Sequence, residues 1–562
     1  MTEGRSSWLR RHRLMAALVA LGVALRVVVM LAYRPALLFP DSFRYLNEAH
    51  HFYLSESRPT GYGLALWPIA HLTGSLPVIT ACQHLIGLGL AVACYAFLLR
   101  RGLPRWGAAL AVVPLMLDPL QLVLEHYVLS DVVFEALLVL ACLLLLWHHR
   151  PGTGALVVAG FAVGFAGLVR GAGSFLLVAF VVALLCLRPS WRQVSAFVVA
   201  GVVPLAGYAV AYHQAHGELA LVGSGPRFLY ARLAPNVDCH TDRLPAYERM
   251  LCPAQPVAHR PNTDYFMWGG GEGPAYHVPP SHGMSRTQVI KDFDKRVVRA
   301  EPVTYARLVL GDAAAGFAPT RTHDVPGYPS YYWLFADHNW SLDLFPWFAQ
   351  EHHGQYPLSS EPTAARFLTS YRHVLWTPGP LLGLLLLVGV AAAAGVGRAR
   401  GSGQRVAVGL LVACCVIPLL TGAAFSGFSW RYQLPQIPLL PVAGALGLAA
   451  LLRGRPLGVP LRPEPPRVLD RWAARVTAAP LPAGSRSAVR RAAERGRLQV
   501  ALAVLAGVAG GCVSAVLAWA SGWATAVNAA VGGVAVGVLV LAVLLSAWRR
   551  ARAGRESGPI PP

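Results

Sequence analysis

Long apolar runs, each of about 17 to 25 residues, recur along the chain and alternate with clusters of arginine. A run of that length crosses about 30 Å of hydrocarbon as an α-helix, and only helices or closed barrels satisfy the backbone inside a bilayer. Only 13% of the 562 residues are charged, whereas soluble domains carry about 25%. The sequence therefore predicts an all-α polytopic membrane protein.

We expect about twelve transmembrane helices with both termini in the cytoplasm, in a multi-pass protein of the cytoplasmic (inner) membrane. The formal net charge of +21 comes almost wholly from arginine, and the arginine clusters fall at every second junction between runs. The positive-inside rule places those junctions in the cytoplasm, so the charge indicates a membrane rather than nucleic acid as the partner. The predicted spans are residues 14–33, 76–99, 106–124, 130–148, 153–169, 172–187, 194–213, 374–396, 406–424, 434–452, 499–519 and 523–547.

This count divides the chain into five regions. They are an N-terminal transmembrane core with the first and second outer loops (1–213), a large extracytoplasmic loop region (214–373), transmembrane helices with an Arg-Tyr motif (374–452), a cytoplasmic linker rich in Arg, Pro and Ala (453–498), and two C-terminal transmembrane helices with a basic tail (499–562). Within the large loop, apolar residues recur at helical spacing from Ser285 to Phe317, which predicts an amphipathic helix lying on the membrane surface.

Two of the nine cysteines, Cys239 and Cys252, fall in a polar segment of the large loop, outside the predicted spans. Disulfides form in extracytoplasmic compartments, so we expect a bridge between these two, with a pair of free thiols as the alternative.

Polar side chains suited to catalysis gather at the outer boundary of four different spans. An acid at such a boundary can meet both a lipid-borne donor and a soluble acceptor. The candidates are Asp41, Arg44 and Tyr45 in the first loop, Glu125, His126 and Asp131 around the second loop, Arg170 at the end of the fifth span, and Arg431 and Tyr432 at the mouth of the tenth.

The order of these motifs resembles that of the membrane-embedded glycosyltransferases of the GT-C fold. This superfamily includes the enzymes that transfer aminoarabinose to lipid A and the protein mannosyltransferases. The resemblance rests on Asp41-x-x-x-Tyr45, the Ser-Asp pair ending at Asp131, Arg170, and Arg431-Tyr432 followed by prolines. It implies a GT-C-like core and a polyprenyl-phosphate sugar as donor, with Asp41 as the catalytic base and Asp131 or Glu125 shaping the site. The fuller loop signatures of both branches are missing, so the acceptor could be a glycan, a lipid or a protein. The arginine bias is typical of a GC-rich bacterial genome, such as an actinobacterial one.

The chemistry of the residues leads to the same hypothesis. Sugar transfer from a lipid phosphate needs a base for the acceptor hydroxyl, for which we nominate Asp41, and cations for the phosphate leaving group. Arg170, Arg431 and Arg44 are the predicted donor-phosphate ligands, because a guanidinium binds phosphate oxygens in pairs. Further substrate contacts are expected from Tyr45, Tyr432 and His126. A single displacement would invert the anomeric centre.

Plainer interpretations stay open for each residue. Asp41 could mark a polar helix boundary, Asp131 could cap a helix, and Arg431 could anchor at lipid headgroups. No cofactor is assigned, although the histidines of the outer loops leave a divalent metal open. A transporter or flippase for lipid-linked sugars is the main alternative function, and a scaffold for envelope assembly is a third.

The arginine pattern predicts the position of two chain segments relative to the membrane. A periplasm-active reporter fused after residue 300 should be active, and one fused after residue 475 should be silent, because the two segments are predicted to lie on opposite sides. Fusions of a cytoplasm-active reporter at the same positions provide the control and should show the reverse. The opposite outcome at residue 300 would remove the candidate site from the outer face.

Overall fold

The computed structural model describes residues 11–269, 273–321, 330–339, 341 and 358–453, and 73% of it is helical. The one sheet among them pairs the two-residue strands β1 (Tyr33–Arg34) and β2 (Ser359–Ser360) in antiparallel fashion. The first ten helices are α1 (Arg13–Ala32), α2 (Pro40–His50), α3 (Gly61–Leu72), α4 (Leu76–Arg100), α5 (Arg105–Ala111), α6 (Val113–Leu117), α7 (Pro119–His126), α8 (Asp131–Leu146), α9 (Thr153–Val169) and α10 (Leu176–Leu187). The next ten are α11 (Trp191–His216), α12 (Gly225–Leu233), α13 (Thr263–Met267), α14 (Pro274–His277), α15 (Arg286–Ala300), α16 (Pro302–Ala315), α17 (Pro362–Val374), α18 (Gly379–Ala394), α19 (Arg405–Phe425) and α20 (Gln436–Arg453).

The chain is a multi-pass, all-α membrane protein. Within the described residues, five helices are long and apolar enough to cross a membrane, or six if the pair α17 and α18, bent by 52°, forms one span. The five are α1, α4, α11, α19 and the segment 430–453 that ends in α20. Other predicted spans correspond to shorter helices, such as α8, α9 and α10. The predicted spans 499–519 and 523–547, with the linker 453–498 almost entirely, lie outside the described residues.

The third predicted span, residues 106–124, is not one continuous helix. It is divided into α5, α6 and α7, with Pro114 and Pro119 at the starts of the second and third pieces. Proline has no N–H to continue the preceding turn and clashes with the carbonyl one turn earlier, so each proline starts a new helix. Asp118 caps the last piece, accepting a 2.8 Å hydrogen bond from the N–H of Leu120.

The large loop region has a hydrophobic core of its own. The predicted amphipathic stretch from Ser285 to Phe317 forms two helices, α15 and α16, because Pro302 begins the second. The apolar side of α15, which includes Phe293 and Val297, is buried against α12, where Tyr230 lies 5.6 Å from Phe293 between ring centroids. The apolar face of α15 is therefore covered by protein, and the prediction of a helix lying on the membrane surface was wrong for this part of the stretch.

The first loop is fastened to the rest of the fold before it reaches α2. Leu37 donates its N–H to the carbonyl of His126 and accepts from the N–H of Val128, at 3.1 and 3.2 Å. The N–H of Leu38 donates to the hydroxyl of Ser341 at 2.9 Å. The start of α2 is thus held by both the second loop and the large loop region.

Cys239 and Cys252 form a disulfide in the large loop region, with their Cα atoms 5.8 Å apart. Both should therefore resist a membrane-impermeant thiol reagent in intact cells until a reductant is added. Replacing both by serine should lower the free energy of unfolding by about 3 kcal/mol, the value expected for closing a loop of this length. Labelling of either cysteine without reductant would show that the bridge does not form in the cell.

Candidate active site

The first candidate residue, Asp41, lies in the first turn of α2, immediately after Pro40. Proline is favoured at the first position of a helix, because that position needs no N–H for the helical pattern. The N–H of Phe39 donates to the hydroxyl of Ser42 at 2.9 Å, which fixes the entry of the chain into the helix. The side chain of Asp41 is consequently held at the start of α2, and the residue is only 8% exposed.

The second acid, Asp131, begins α8 and is 1% exposed. A carboxylate in a first helical turn is stabilised by the partial positive charge of the unpaired N–H groups there. Ser130 occupies the N-cap position but makes no side-chain cap hydrogen bond. Its hydroxyl instead accepts a long hydrogen bond, 3.4 Å, from the hydroxyl of Tyr45.

Arg431 joins the two acids although it lies about 300 or more residues away from them in sequence. Its Nη1 donates to Asp41 Oδ2 at 3.1 Å, and its Nη2 and Nε donate to the two oxygens of Asp131 at 2.8 and 3.3 Å. The residue is 7% exposed and lies in the 3-10 turn that leads into α20. Its guanidinium is therefore directed into the protein and not towards lipid headgroups.

Two more arginines complete the group. Arg58 pairs with Asp41, and Arg170, which directly follows α9, pairs with Asp131. Gly61 allows these arginines to approach, since a Cβ there would lie 2.6 Å from the backbone nitrogen of Val169. We call the five side chains of Asp41, Arg58, Asp131, Arg170 and Arg431 the acid–arginine cluster.

Aromatic rings surround the cluster. The guanidinium of Arg170 lies 4.9 Å from the centre of the Tyr432 ring, and that of Arg431 lies 5.3 Å from the centre of the Trp333 ring. Such contacts favour a cation when water is excluded. Trp333 comes from the large loop region, so this region supplies part of the wall of the site.

Arg44 is close to the cluster in sequence but does not join it. Its guanidinium donates to the hydroxyl groups of Ser55 and Ser57. Glu125 and His126, the other candidates from the second loop, also lie in a separate set of contacts.

That second set of contacts is a buried chain that ends beside the first loop. Glu125 binds Arg26 through both carboxylate oxygens, at 2.7 and 2.8 Å, and His84 Nδ1 lies 2.8 Å from the same carboxylate. His84 Nε2 lies 3.2 Å from His126 Nδ1, and His126 Nε2 lies 2.6 Å from the carbonyl oxygen of Tyr33. The chain reaches the backbone just before the segment that carries Asp41.

The ion pairs of Asp41 determine its acidity. Burial acts to raise the pKa of this carboxyl, but the positive charges of Arg58 and Arg431 outweigh burial and lower it. Asp41 is therefore a carboxylate at neutral pH, and both of its oxygens are engaged by guanidinium groups.

Within the part of the chain that the structure describes, no group of three or more His, Cys, Asp or Glu residues is arranged to hold a metal ion. The acids of the acid–arginine cluster instead have arginine as their partners.

Sequence reasoning missed two important residues. Arg58 was not singled out, although a second arginine in the loop that holds Asp41 was a usable signal. The other is Arg321, which binds both oxygens of Asp118 at 2.7 and 3.0 Å. An acid such as Asp118 in an apolar stretch needs a cation to compensate its charge when it is buried. Nothing local in the sequence indicates that this cation is 203 residues away.

One comparison bears on this arrangement. Residues 79–200 match the family model of the dolichyl-phosphate-mannose-protein mannosyltransferases. No curated protein and no solved structure matches the chain significantly. The match covers about a fifth of the chain and contains Asp131 and Arg170, whereas Asp41, Arg58 and Arg431 lie outside it. It supports a relationship to the GT-C glycosyltransferases, which take sugar from a polyprenyl-phosphate-linked donor.

The ion pair with Arg58 can be tested through the acidity of Asp41. In Arg58→Met one of the two charges that lower the pKa is removed while burial remains, so Asp41 should become protonated at a higher pH than in the wild type. Infrared titration of the carboxyl band, assigned by its loss in Asp41→Asn, measures this change. Arg44→Met is the matched control and should leave the pKa of Asp41 unchanged. An equal shift of that pKa in both variants would contradict the pairing.

Proposed function

We propose that the protein is an inverting glycosyltransferase of the cytoplasmic membrane. It transfers a hexose or pentose from a polyprenyl-phosphate donor to a glycan, lipid or protein acceptor of the envelope. The reaction takes place at the outer face, where the first loop and the large loop region meet. The match to mannosyltransferases supports the class of reaction, and the acid–arginine cluster supports the place.

The observation that carries the proposal is the charge of the acid–arginine cluster. Within the described part of the chain, three guanidinium groups face two carboxylates, which gives the cluster an excess of one positive charge at a largely buried site. A polyprenyl-phosphate sugar is a phosphodiester with one negative charge, so it matches this excess. When the sugar leaves, the phosphate gains a second negative charge, which preorganised cations stabilise most strongly in the transition state.

The reaction is a single displacement at the anomeric carbon. The acceptor hydroxyl oxygen forms the new bond to that carbon while the bond to the phosphate oxygen breaks, and its electron pair stays on the phosphate. The proton of the acceptor hydroxyl passes to the carboxylate of Asp41. Attack from the face opposite the phosphate inverts the configuration.

Donor binding also adjusts the strength of the base. In the resting site Arg58 and Arg431 lower the pKa of Asp41, which makes its carboxylate a weak base. A phosphate that draws these guanidinium groups away from Asp41 raises that pKa again. The base is therefore strengthened when the donor is in place, which limits reaction in its absence.

The other candidates take supporting roles in this proposal. Arg170 is the third phosphate ligand, and Tyr432 orients it through the ring beneath its guanidinium. Glu125 and His126 hold the approach of the first loop through the contact with the carbonyl of Tyr33. Asp131 positions Arg170 and Arg431.

The test is complementation of a deletion strain. Deletion should remove one envelope glycan and cause its polyprenyl-phosphate sugar to accumulate, and the wild-type gene should restore the glycan. Asp41→Asn should still be inserted in the membrane, because Asp131 continues to bind Arg431 through two hydrogen bonds, but it should transfer sugar at least about a hundredfold more slowly, because it lacks the base. Asp242→Asn, which alters an exposed acid of the large loop region, is the control and should restore the glycan.

Two outcomes would contradict the proposal. Full restoration by Asp41→Asn would show that another group takes the proton. Accumulation of the lipid-linked sugar only in the cytoplasmic leaflet would indicate a flippase.

A further inference from the structure

One carboxyl group beside the acid–arginine cluster has no role in the reaction described above. Glu48 lies on α2 and is 1% exposed. Neither of its carboxyl oxygens has a hydrogen-bond partner within the described part of the chain. Burying a polar group without a hydrogen-bond partner destabilises a protein, so such a group in a native fold has to be explained.

The surroundings of Glu48 are polar on one side and closed on the other. Arg44, Arg58 and Asp41 all act on it electrostatically. On the closed side α3 packs directly against it, since a Cβ at Gly63 would lie 2.7 Å from Glu48 Cβ and 3.2 Å from Glu48 Oε2. Burial is the largest effect and raises the pKa of Glu48 to about 8. At neutral pH the group is mostly a carboxylic acid that can donate one hydrogen bond and accept others.

The position of Glu48 along α2 relates it to the reacting centre. Asp41, Tyr45 and Glu48 follow one another at spacings of four and three residues, so they lie on one face of the helix. Seven residues of α-helix rise about 10 Å, a separation that one sugar ring with its hydroxyl groups can bridge, and the buried ring of Tyr45 lies between the two acids.

We propose that Glu48 binds hydroxyl groups of the transferred sugar, at the end of the ring away from the anomeric carbon. This inference rests on the function proposed above and adds a sugar-recognition subsite to it. Hydroxyl groups supply both the donors and the acceptors that the carboxyl group of Glu48 lacks. The sugar of the donor is favoured over that of an acceptor, because Glu48 packs against α3 on one side and has Asp41 and Arg58 of the acid–arginine cluster among its charged neighbours.

The test separates binding of the sugar from binding of the lipid phosphate. The ligands titrated into the full-length protein in nanodiscs are farnesyl-phosphate mannose, glucose, galactose and arabinose. The sugar-free reference is the methyl ester of farnesyl phosphate, which carries one negative charge like the sugar lipids and is called farnesyl phosphate below. In the wild type at least one sugar should bind more tightly than farnesyl phosphate. Glu48→Leu keeps the volume but removes the hydrogen bonds, so the affinity for that sugar lipid should fall about tenfold while the affinity for farnesyl phosphate stays the same.

Three further variants control this measurement. Glu48→Gln, which still donates and accepts, should retain part of the sugar-dependent gain. Glu56→Leu removes an exposed carboxylate of the same loop and should leave both affinities unchanged. Arg431→Lys should lower the affinity for farnesyl phosphate and for the sugar lipid alike, because an ammonium group cannot donate two parallel hydrogen bonds to phosphate.

The outcomes distinguish the two proposals. Equal affinity of the wild type for farnesyl phosphate and every sugar lipid, or an unchanged sugar-dependent gain in Glu48→Leu, would overturn the subsite but leave the function standing. A Glu48→Leu variant that only raises the KM for the acceptor would assign Glu48 to the acceptor and overturn the donor-sugar subsite. If farnesyl phosphate does not bind, or binds equally to Arg431→Lys, the proposed function fails and the subsite fails with it.

Discussion

The contact of Arg431 with two carboxylates is the interaction on which the rest of the site depends. Asp41 begins α2, Asp131 begins α8, and Arg431 precedes α20, so one guanidinium fixes the relative positions of three helices. Removing one partner from a buried ion pair costs about 3 to 5 kcal/mol, because the other charge is left without compensation. The same contact also lowers the pKa of Asp41, and so it couples the shape of the site to the strength of its base.

Much of the architecture could be predicted from the sequence, because a bilayer limits a chain to a few solutions. Apolar length and arginine alternation identified the helices near α1, α4, α11, α19 and α20. They did not reveal that residues 106–124 are divided, although Pro114 and Pro119 were visible in the sequence. Hydropathy is an average over a whole span and does not register such breaks, whereas each proline removes one backbone hydrogen bond of the helix.

The candidate site was predictable in part for a different reason. Asp41, Asp131, Arg170 and Arg431 stood out because charge at a membrane boundary is unusual, and the structure brings these four together. Arg58 and Glu48 lie in a polar stretch of sequence where charge is ordinary, so the sequence ranked neither above its neighbours, and the three-dimensional packing distinguishes them. The apolar face of α15 could equally have met lipid or protein, and its amphipathic pattern is the same in both cases.

The pair of Arg26 with Glu125 bears on how the chain is made. Arg26 is within α1, and its partner follows 99 residues later in the sequence. An arginine at the centre of a span raises the free energy of insertion by about 2.5 to 3.5 kcal/mol. During synthesis α1 therefore reaches the membrane with a cation whose counter-ion has not yet been translated. The buried contact of Arg26 with Glu125 forms only after α7 has been translated, so the final packing of α1 depends on a later part of the chain.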